Sequence, residues 1–224
     1  MPSKMVNSDF LIVALDFPDA ESALTIVDNL GEQATFYKVG MELFFADGNT
    51  VIRHLQNRGK KIFLDLKLRD IPATLERSVR VIANKYKPDF LTVFALEDGV
   101  KAAVTGSNGK MKILNVTVLT SEVRNNVAEI VKQKAILTQK AGGDGVVCSG
   151  LETKMLREFL PPDFTIVNPG IRLIGNPAND QKRIVTPKQA LLAGASHIVV
   201  GRPITRSENP KEVFESILAS LSES

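Results

Sequence analysis

Eight short apolar runs recur along the chain, and each is followed by a stretch with the period of an amphipathic helix. The first is Phe10-Leu11-Ile12-Val13-Ala14-Leu15; the others lie at 35–39, from Ile62-Phe63-Leu64 onward, and at 90–94, 112–118, 145–148, 164–167 and 197–200. Continuous apolar runs, as opposed to alternating ones, suit strands that are buried on both faces. The intervening stretches predict helices at about 19–30, 49–58, 74–85, 100–105, 123–140, 151–159, 187–192 and 210–221. Asp19 is placed to cap the first of these and Gly59 to close the second. Strand-then-helix units with no consecutive strands require a parallel sheet. Eight of them in 224 residues predict an α/β chain folded as one (β/α)8 TIM barrel, a single domain over 1–224. A doubly wound open sheet is the alternative, but it usually has fewer strands, and no G-x-G-x-x-G follows the first run.

Charge excludes some classes of partner. With 28 basic and 25 acidic residues the net charge is +3, too balanced to argue for nucleic acid or a membrane surface. Cys148 is the only cysteine; within Gly145-Val146-Val147-Cys148 it reads as core, not as a nucleophile. Residues 1–9 are polar, and the apolar run after them is too short for a signal peptide. Nothing approaches the roughly 18 apolar residues of a membrane helix. A cytoplasmic protein with no membrane partner is expected.

In a barrel of this type the active site gathers at the C-terminal ends of the strands, and here those ends carry the polar groups. Strand one ends at Asp16 and strand two at Lys38, while strand three carries Asp65, Lys67 and Asp70 in FLDLKLRDIPAT. Alternation puts Asp65 and Lys67 on one face, with Asp70 in the turn beyond. An ion pair at the end of an apolar strand is costly unless it is exposed, paired or employed. Taken alone it would be an incidental salt bridge. Further polar ends occur at Leu119-Thr120-Ser121, Asn168-Pro169-Gly170-Ile171-Arg172 and Gly201-Arg202-Pro203, with nothing comparable at the opposite ends. That asymmetry favours an enzyme. Gly201-Arg202 offers backbone N–H groups beside a guanidinium, where barrels commonly bind phosphate. The polar loop 173–180 has the character of a lid, with Gln181 at its far end. His54 is expected on a solvated helix surface and His197 at the wrong end of the barrel, neither in metal-ligand spacing. Asp65 and Asp70 could bind Mg²⁺, but Lys67 already supplies the compensating charge.

ALDFPD, FYKVG, FLDLKLRDIPAT, VTVLTS, NPGIR, DQKRIVTP and GASHIVVGRPIT, taken in order, resemble the orotidine 5′-phosphate decarboxylases over nearly the whole chain. D-x-K-x-x-D-I-P-x-T marks the superfamily; with P-G-I-R, the D-Q-x-R loop and V-G-R-x-I-T it marks the decarboxylase. The resemblance implies orotidine 5′-phosphate as the nucleotide substrate and UMP as the product, with no cofactor and no metal. It implies that Lys67 delivers a proton to C6 after CO₂ leaves, flanked by Asp65 and Asp70. Lys38 and Asp16 would engage the ribose, and Thr120 the base. Arg172, Gln181, Gly201 and Arg202 would hold the 5′-phosphate. It further implies a homodimer in which Asp70 and Thr74, with Ile71 between them, lie at the neighbour's site. Arg69, Ala73 and Phe94 depart from the histidine, asparagine and histidine usual in that family. Two other readings stay open: a Mg²⁺-dependent sugar-phosphate decarboxylase or synthase of the same superfamily, and a catalytically silent nucleotide-binding barrel.

Overall fold

Buried on both faces, the apolar runs have to pair with one another, and they do so all the way round. The computed structural model describes residues 7–122, 125–173 and 183–222. Its strands are β1 (Leu11–Leu15), β2 (Phe36–Gly40), β3 (Lys61–Leu68), β4 (Phe90–Val93), β5 (Lys112–Val116), β6 (Gly145–Val147), β7 (Thr165–Asn168) and β8 (His197–Val200). Each pairs in parallel with the next, and β8 pairs with β1, so the sheet is a closed barrel of eight strands in sequence order. No edge strand is left open.

The outer layer consists of α1 (Ala20–Leu30), α2 (Met41–Asn57), α3 (Pro72–Lys85), α4 (Glu97–Ser107), α5 (Val127–Lys140), α6 (Gly150–Arg157), α7 (Pro187–Leu192), α8 (Arg202–Thr205) and α9 (Pro210–Ser222). Asp19 caps α1 as expected, its Oδ1 accepting from Ser22 N at 2.7 Å. Gly59, just past α2, has φ +63°, the left-handed value that a closing glycine supplies. Several boundaries differ from those read in the sequence. α2 starts directly after β2, eight residues before the predicted start at 49, and continues through a non-helical break at Asp47. Leu43 before that break and Val51, Ile52 and Leu55 after it are all buried, so both parts of the helix contribute to the core. α4 is longer than 100–105 because Glu97 and Asp98 suit a first helical turn. β5 stops at Val116, and α8, with Pro203 in its first turn, has no counterpart in the sequence reading. Residues 123–124, read as the start of a helix, lie outside the described residues, as does most of the loop read as a lid.

Two apolar shells result. Ile12, Ala14, Phe36, Phe63, Phe90, Leu114, Val116, Val147, Val167 and Val199 fill the barrel interior, while the alternate strand residues pack outward against the helices. At the N-terminal end Phe36, Phe63 and Phe90 meet edge to face, with ring centroids 5.0 Å apart for Phe36–Phe90 and 5.9 Å for Phe63–Phe90. His197 seals this plug, 5.1 Å from the Phe90 ring, and its Nδ1–H donates to Asp9 O at 2.8 Å. It is therefore at the end opposite the polar groups, as expected. His54 is not the solvated surface residue expected from its helix; it is half-buried, its Nε2 3.5 Å from Asp28 Oδ1.

Candidate active site

The alternation that builds the core also builds the site. Two residues beyond Phe36, Phe63 and Phe90, the next inward places on β2, β3 and β4 are taken by Lys38, Asp65 and Thr92. On β1 the inward series Ile12, Ala14 continues to Asp16. Polar side chains thus form the layer above an apolar plug. Lys38 Nζ donates to Asp16 Oδ1 at 2.7 Å and lies 3.7 Å from Asp65 Oδ2, which Lys67 Nζ approaches to 2.8 Å. The result is a row of alternating charge, Asp16–Lys38–Asp65–Lys67.

Asp65 and Lys67 do converge, but simple alternation is only part of the reason. Leu64 pairs with Leu91 and Leu68 with Val93, so β3 inserts two extra residues into the ladder. Lys67 sits in that bulge with φ +48°, a left-handed conformation that costs a side-chain-bearing residue about 1–2 kcal/mol. Thr92 holds it there. Its Oγ1 accepts from Lys67 N at 2.9 Å and donates to Asp65 Oδ1 at 2.9 Å. One fully buried hydroxyl therefore fixes both the lysine backbone and the carboxylate beside it.

Burial pushes the Asp65 pKa upward, but the Lys38 and Lys67 charges and the hydrogen bonds from Lys67 and Thr92 outweigh it and hold the carboxyl below its ordinary range. Burial likewise acts to lower the Lys38 pKa, and the charges of Asp65 and Asp16 reverse that, leaving it raised. Both groups are ionised at neutral pH. Cys148 behaves as core: burial pushes its thiol up to about 12.

These groups face a cavity of about 410 Å³ at the C-terminal end of the barrel. Asp16, Lys38, Asp65, Lys67, Thr120, Arg172, Gly201 and Arg202 all line it, so most of the site residues read from sequence come together in one place. Arg172 follows β7, and Gly201 and Arg202 follow β8, which gathers the arginines on the β7–β8 side. Asp70, Ile71 and Thr74 do not line the cavity. Asp70 Oδ1 instead accepts from Ile71 N at 2.7 Å, and both residues are exposed. Within one chain, then, Asp70 is no part of the charged row. Gln181 lies outside the described residues.

Two residues of the site carried no signal when read singly. Thr92 is the only polar residue of β4, two places beyond Phe90, and that spacing marks it in retrospect. Gly40 makes room: a Cβ there would meet Lys38 Nζ at 3.1 Å and Asp16 Oδ1 at 3.3 Å. Among the described residues no three His, Cys, Asp or Glu side chains gather to hold a metal ion. The pairing of Asp65 with two lysines makes it a poor cation ligand in any case.

Comparison with known proteins places this arrangement. Residues 9–217 match the model of the Orotidine 5′-phosphate decarboxylase / HUMPS family. An orotidine 5′-phosphate decarboxylase of Methylobacterium radiotolerans is 45% identical over 222 residues, covering 95% of this chain and 96% of that protein. One from Rhodopseudomonas palustris is 43% identical over 228 residues, covering 97% and 96%. The crystal structure of orotidine 5′-phosphate decarboxylase from Lactobacillus acidophilus superposes with a TM-score of 0.81 at 39% identity, covering 94% of this chain and 98% of that one. An uncharacterized conserved protein from Geobacillus kaustophilus gives 0.80 at 29% identity, covering 94% and 99%. The matches run along nearly the whole barrel, and the chain belongs to the Orotidine 5′-phosphate decarboxylase / HUMPS family.

Proposed function

We propose that the chain, as one barrel domain, decarboxylates orotidine 5′-phosphate to UMP, the last step of de novo pyrimidine nucleotide synthesis. The observation that carries this reading is the row Asp16–Lys38–Asp65–Lys67 in one cavity with Arg172 and Arg202. Loss of CO₂ from C6 leaves an electron pair on a ring carbon with no adjacent electron sink in the usual sense. A fixed ammonium stabilises that charge as it develops and then supplies the proton. Lys67 is suited to this because its backbone is locked by Thr92 and its Nζ by Asp65. The ionised Asp65 places a negative charge where the substrate carboxylate has to fit, and that repulsion is relieved as CO₂ departs.

Asp16 and Lys38, joined at 2.7 Å, offer an acceptor and a donor to ribose hydroxyls. Thr120, on the wall of the same cavity, is assigned to the base. Arg172, Gly201 and Arg202, which line the cavity, are assigned to the 5′-phosphate, and Gln181 is assigned with them on the motif alone. Binding energy from that remote phosphate can be used to lower the barrier at C6. Asp65 is already compensated by two ammonium groups, so the reaction is proposed to need no metal and no cofactor.

We assign Asp70, Ile71 and Thr74 to the neighbour's cavity in a homodimer. The exposure of Asp70 and Ile71 supports this, with Thr74 half-buried one turn into α3, together with exposed apolar side chains at this end of the barrel. Phe45 is 78% exposed, Ile71 66% and Leu96 74%, all near the C-terminal ends of β2, β3 and β4. A cytoplasmic setting belongs to the same proposal. Replacing Lys67 with alanine is the direct test of the assigned proton donor. Lys67→Ala is expected to bind UMP but to lose decarboxylation by about 10³-fold or more. Retained turnover would remove Lys67 from that role.

A further inference from the structure

Behind the arginine side of the cavity lies a polar cluster that the reaction itself does not use. Glu152, in the first turn of α6, is buried and forms an ion pair with Arg183. The side chains are only 9% and 11% exposed, and Glu152 Oε2 and Arg183 Nη1 have no hydrogen-bond partner among the described residues. Burial drives the Glu152 pKa up, and Arg183 does not fully offset it. A pair like this is a poor stability device. What it supplies is fixed geometry.

That geometry leads to the cavity. Two residues after Arg183, Val185 forms an isolated parallel bridge with Ile171, and its carbonyl accepts from Arg172 N at 3.0 Å. The N-terminus of α6 closes over the same point. Ser149 Oγ donates to Arg183 O at 3.4 Å, and a Cβ on Gly150 would lie 2.4 Å from Val185 Cγ2, so only glycine allows this approach. One turn on, Thr153 Oγ1 donates to Asn168 Oδ1 at 2.9 Å, and Asn168 Nδ2 donates to Cys148 O at 3.0 Å. α6 therefore grips the chain on both sides of Arg172: at Asn168 where β7 ends, and at Arg183–Val185 where the bridge forms.

We propose that Glu152, through its ion pair with Arg183, is a positioning residue for Arg172, holding that guanidinium for the phosphate of the nucleotide. The inference rests on the function proposed above and adds residues that touch no substrate. If the pair only stabilised the fold, its loss would lower the melting temperature and leave the folded enzyme's affinity alone. If it positions Arg172, phosphate-dependent affinity falls in molecules that remain folded.

The test uses the full-length protein with Glu152→Gln, which removes the charge, and Arg183→Lys, which keeps the charge but loses the planar fork. KM and kcat for orotidine 5′-phosphate, UMP affinity by titration calorimetry and melting temperature are measured together. Both variants are expected to raise KM and the UMP Kd about tenfold while kcat at saturation changes less than about threefold. KM and Kd within about twofold of wild type, with a lowered melting temperature, would overturn the positioning role. If Glu152→Gln does not fold, Arg183→Lys carries the same comparison. Wild-type protein that neither turns over the substrate nor binds UMP would contradict the proposed function instead, and this inference with it.

Discussion

Thr92 is the residue on which the charged row depends, because its hydroxyl bridges the Lys67 backbone N–H and the Asp65 carboxylate. Thr92→Val preserves shape but leaves a buried N–H and a buried carboxylate oxygen without that partner, at a cost of about 1–3 kcal/mol. Chemical denaturation should show that loss together with a lower kcat, and Thr92→Ser should restore much of both. The ionised groups set a pH dependence whose sign follows from their shifts. The folded-state pKa of Asp65 lies below the ordinary 3.8, so its stabilising contribution is complete above about pH 4 and disappears as pH falls through the depressed value. The Lys38 pKa is raised above 10.5, so its contribution is complete below that pH and disappears as pH rises through the raised value. Urea midpoints measured across the acid range should fall more steeply for wild type than for Asp65→Asn; parallel slopes would contradict the assigned shift. At this scale the sequence is informative about which side chains matter, since charges stand out against apolar strands. It is silent on Thr92, whose importance comes from a cross-strand contact 25 residues away from Lys67.

Among the elements, β3 and β4 shape the site and the α3–α4 pair supports them from outside. Gly106 in α4 comes so close to α3 that a Cβ would lie 2.4 Å from Glu76 O, a backbone atom that cannot swing aside. Gly106→Ala is therefore expected to separate the two helices and cost about 1–3 kcal/mol, read as a lowered melting temperature. The eight strands were legible because each is a run of apolar residues with polar neighbours, and burial on both faces demands that pattern. The bulge at Lys67 was not. Nothing local in Leu66-Lys67-Leu68 distinguishes a regular strand from one that slips by two places against β4, because register is decided by the partner strand. The helix boundaries missed around Asp47 and Glu97 have a related cause, in that packing of the flanking apolar residues overrides a weak local break.

For the molecule as a whole, the charged row of one chain is complete without Asp70, while Asp70, Ile71 and Thr74 stand outside its cavity. The proposed sharing of sites between two chains makes a specific prediction for mixed variants. Lys67→Ala and Asp70→Asn are each expected to be nearly inactive, but co-refolded in equal amounts they should recover about a quarter of wild-type activity, since half the dimers are hybrids with one intact site. A mixture no more active than its components would return Asp70 to its own chain's chemistry or remove it altogether. The central claim is metal-independent decarboxylation at Lys67. It is tested most directly by following the ultraviolet absorbance of orotidine 5′-phosphate with purified protein, with and without excess chelator. The account predicts the same rapid absorbance loss in both, with UMP as the product. No turnover, or turnover abolished by the chelator, would contradict it; no turnover of this substrate together with chelator-sensitive activity on a pentulose or hexulose phosphate would favour the Mg²⁺-dependent sugar-phosphate enzyme of the same superfamily.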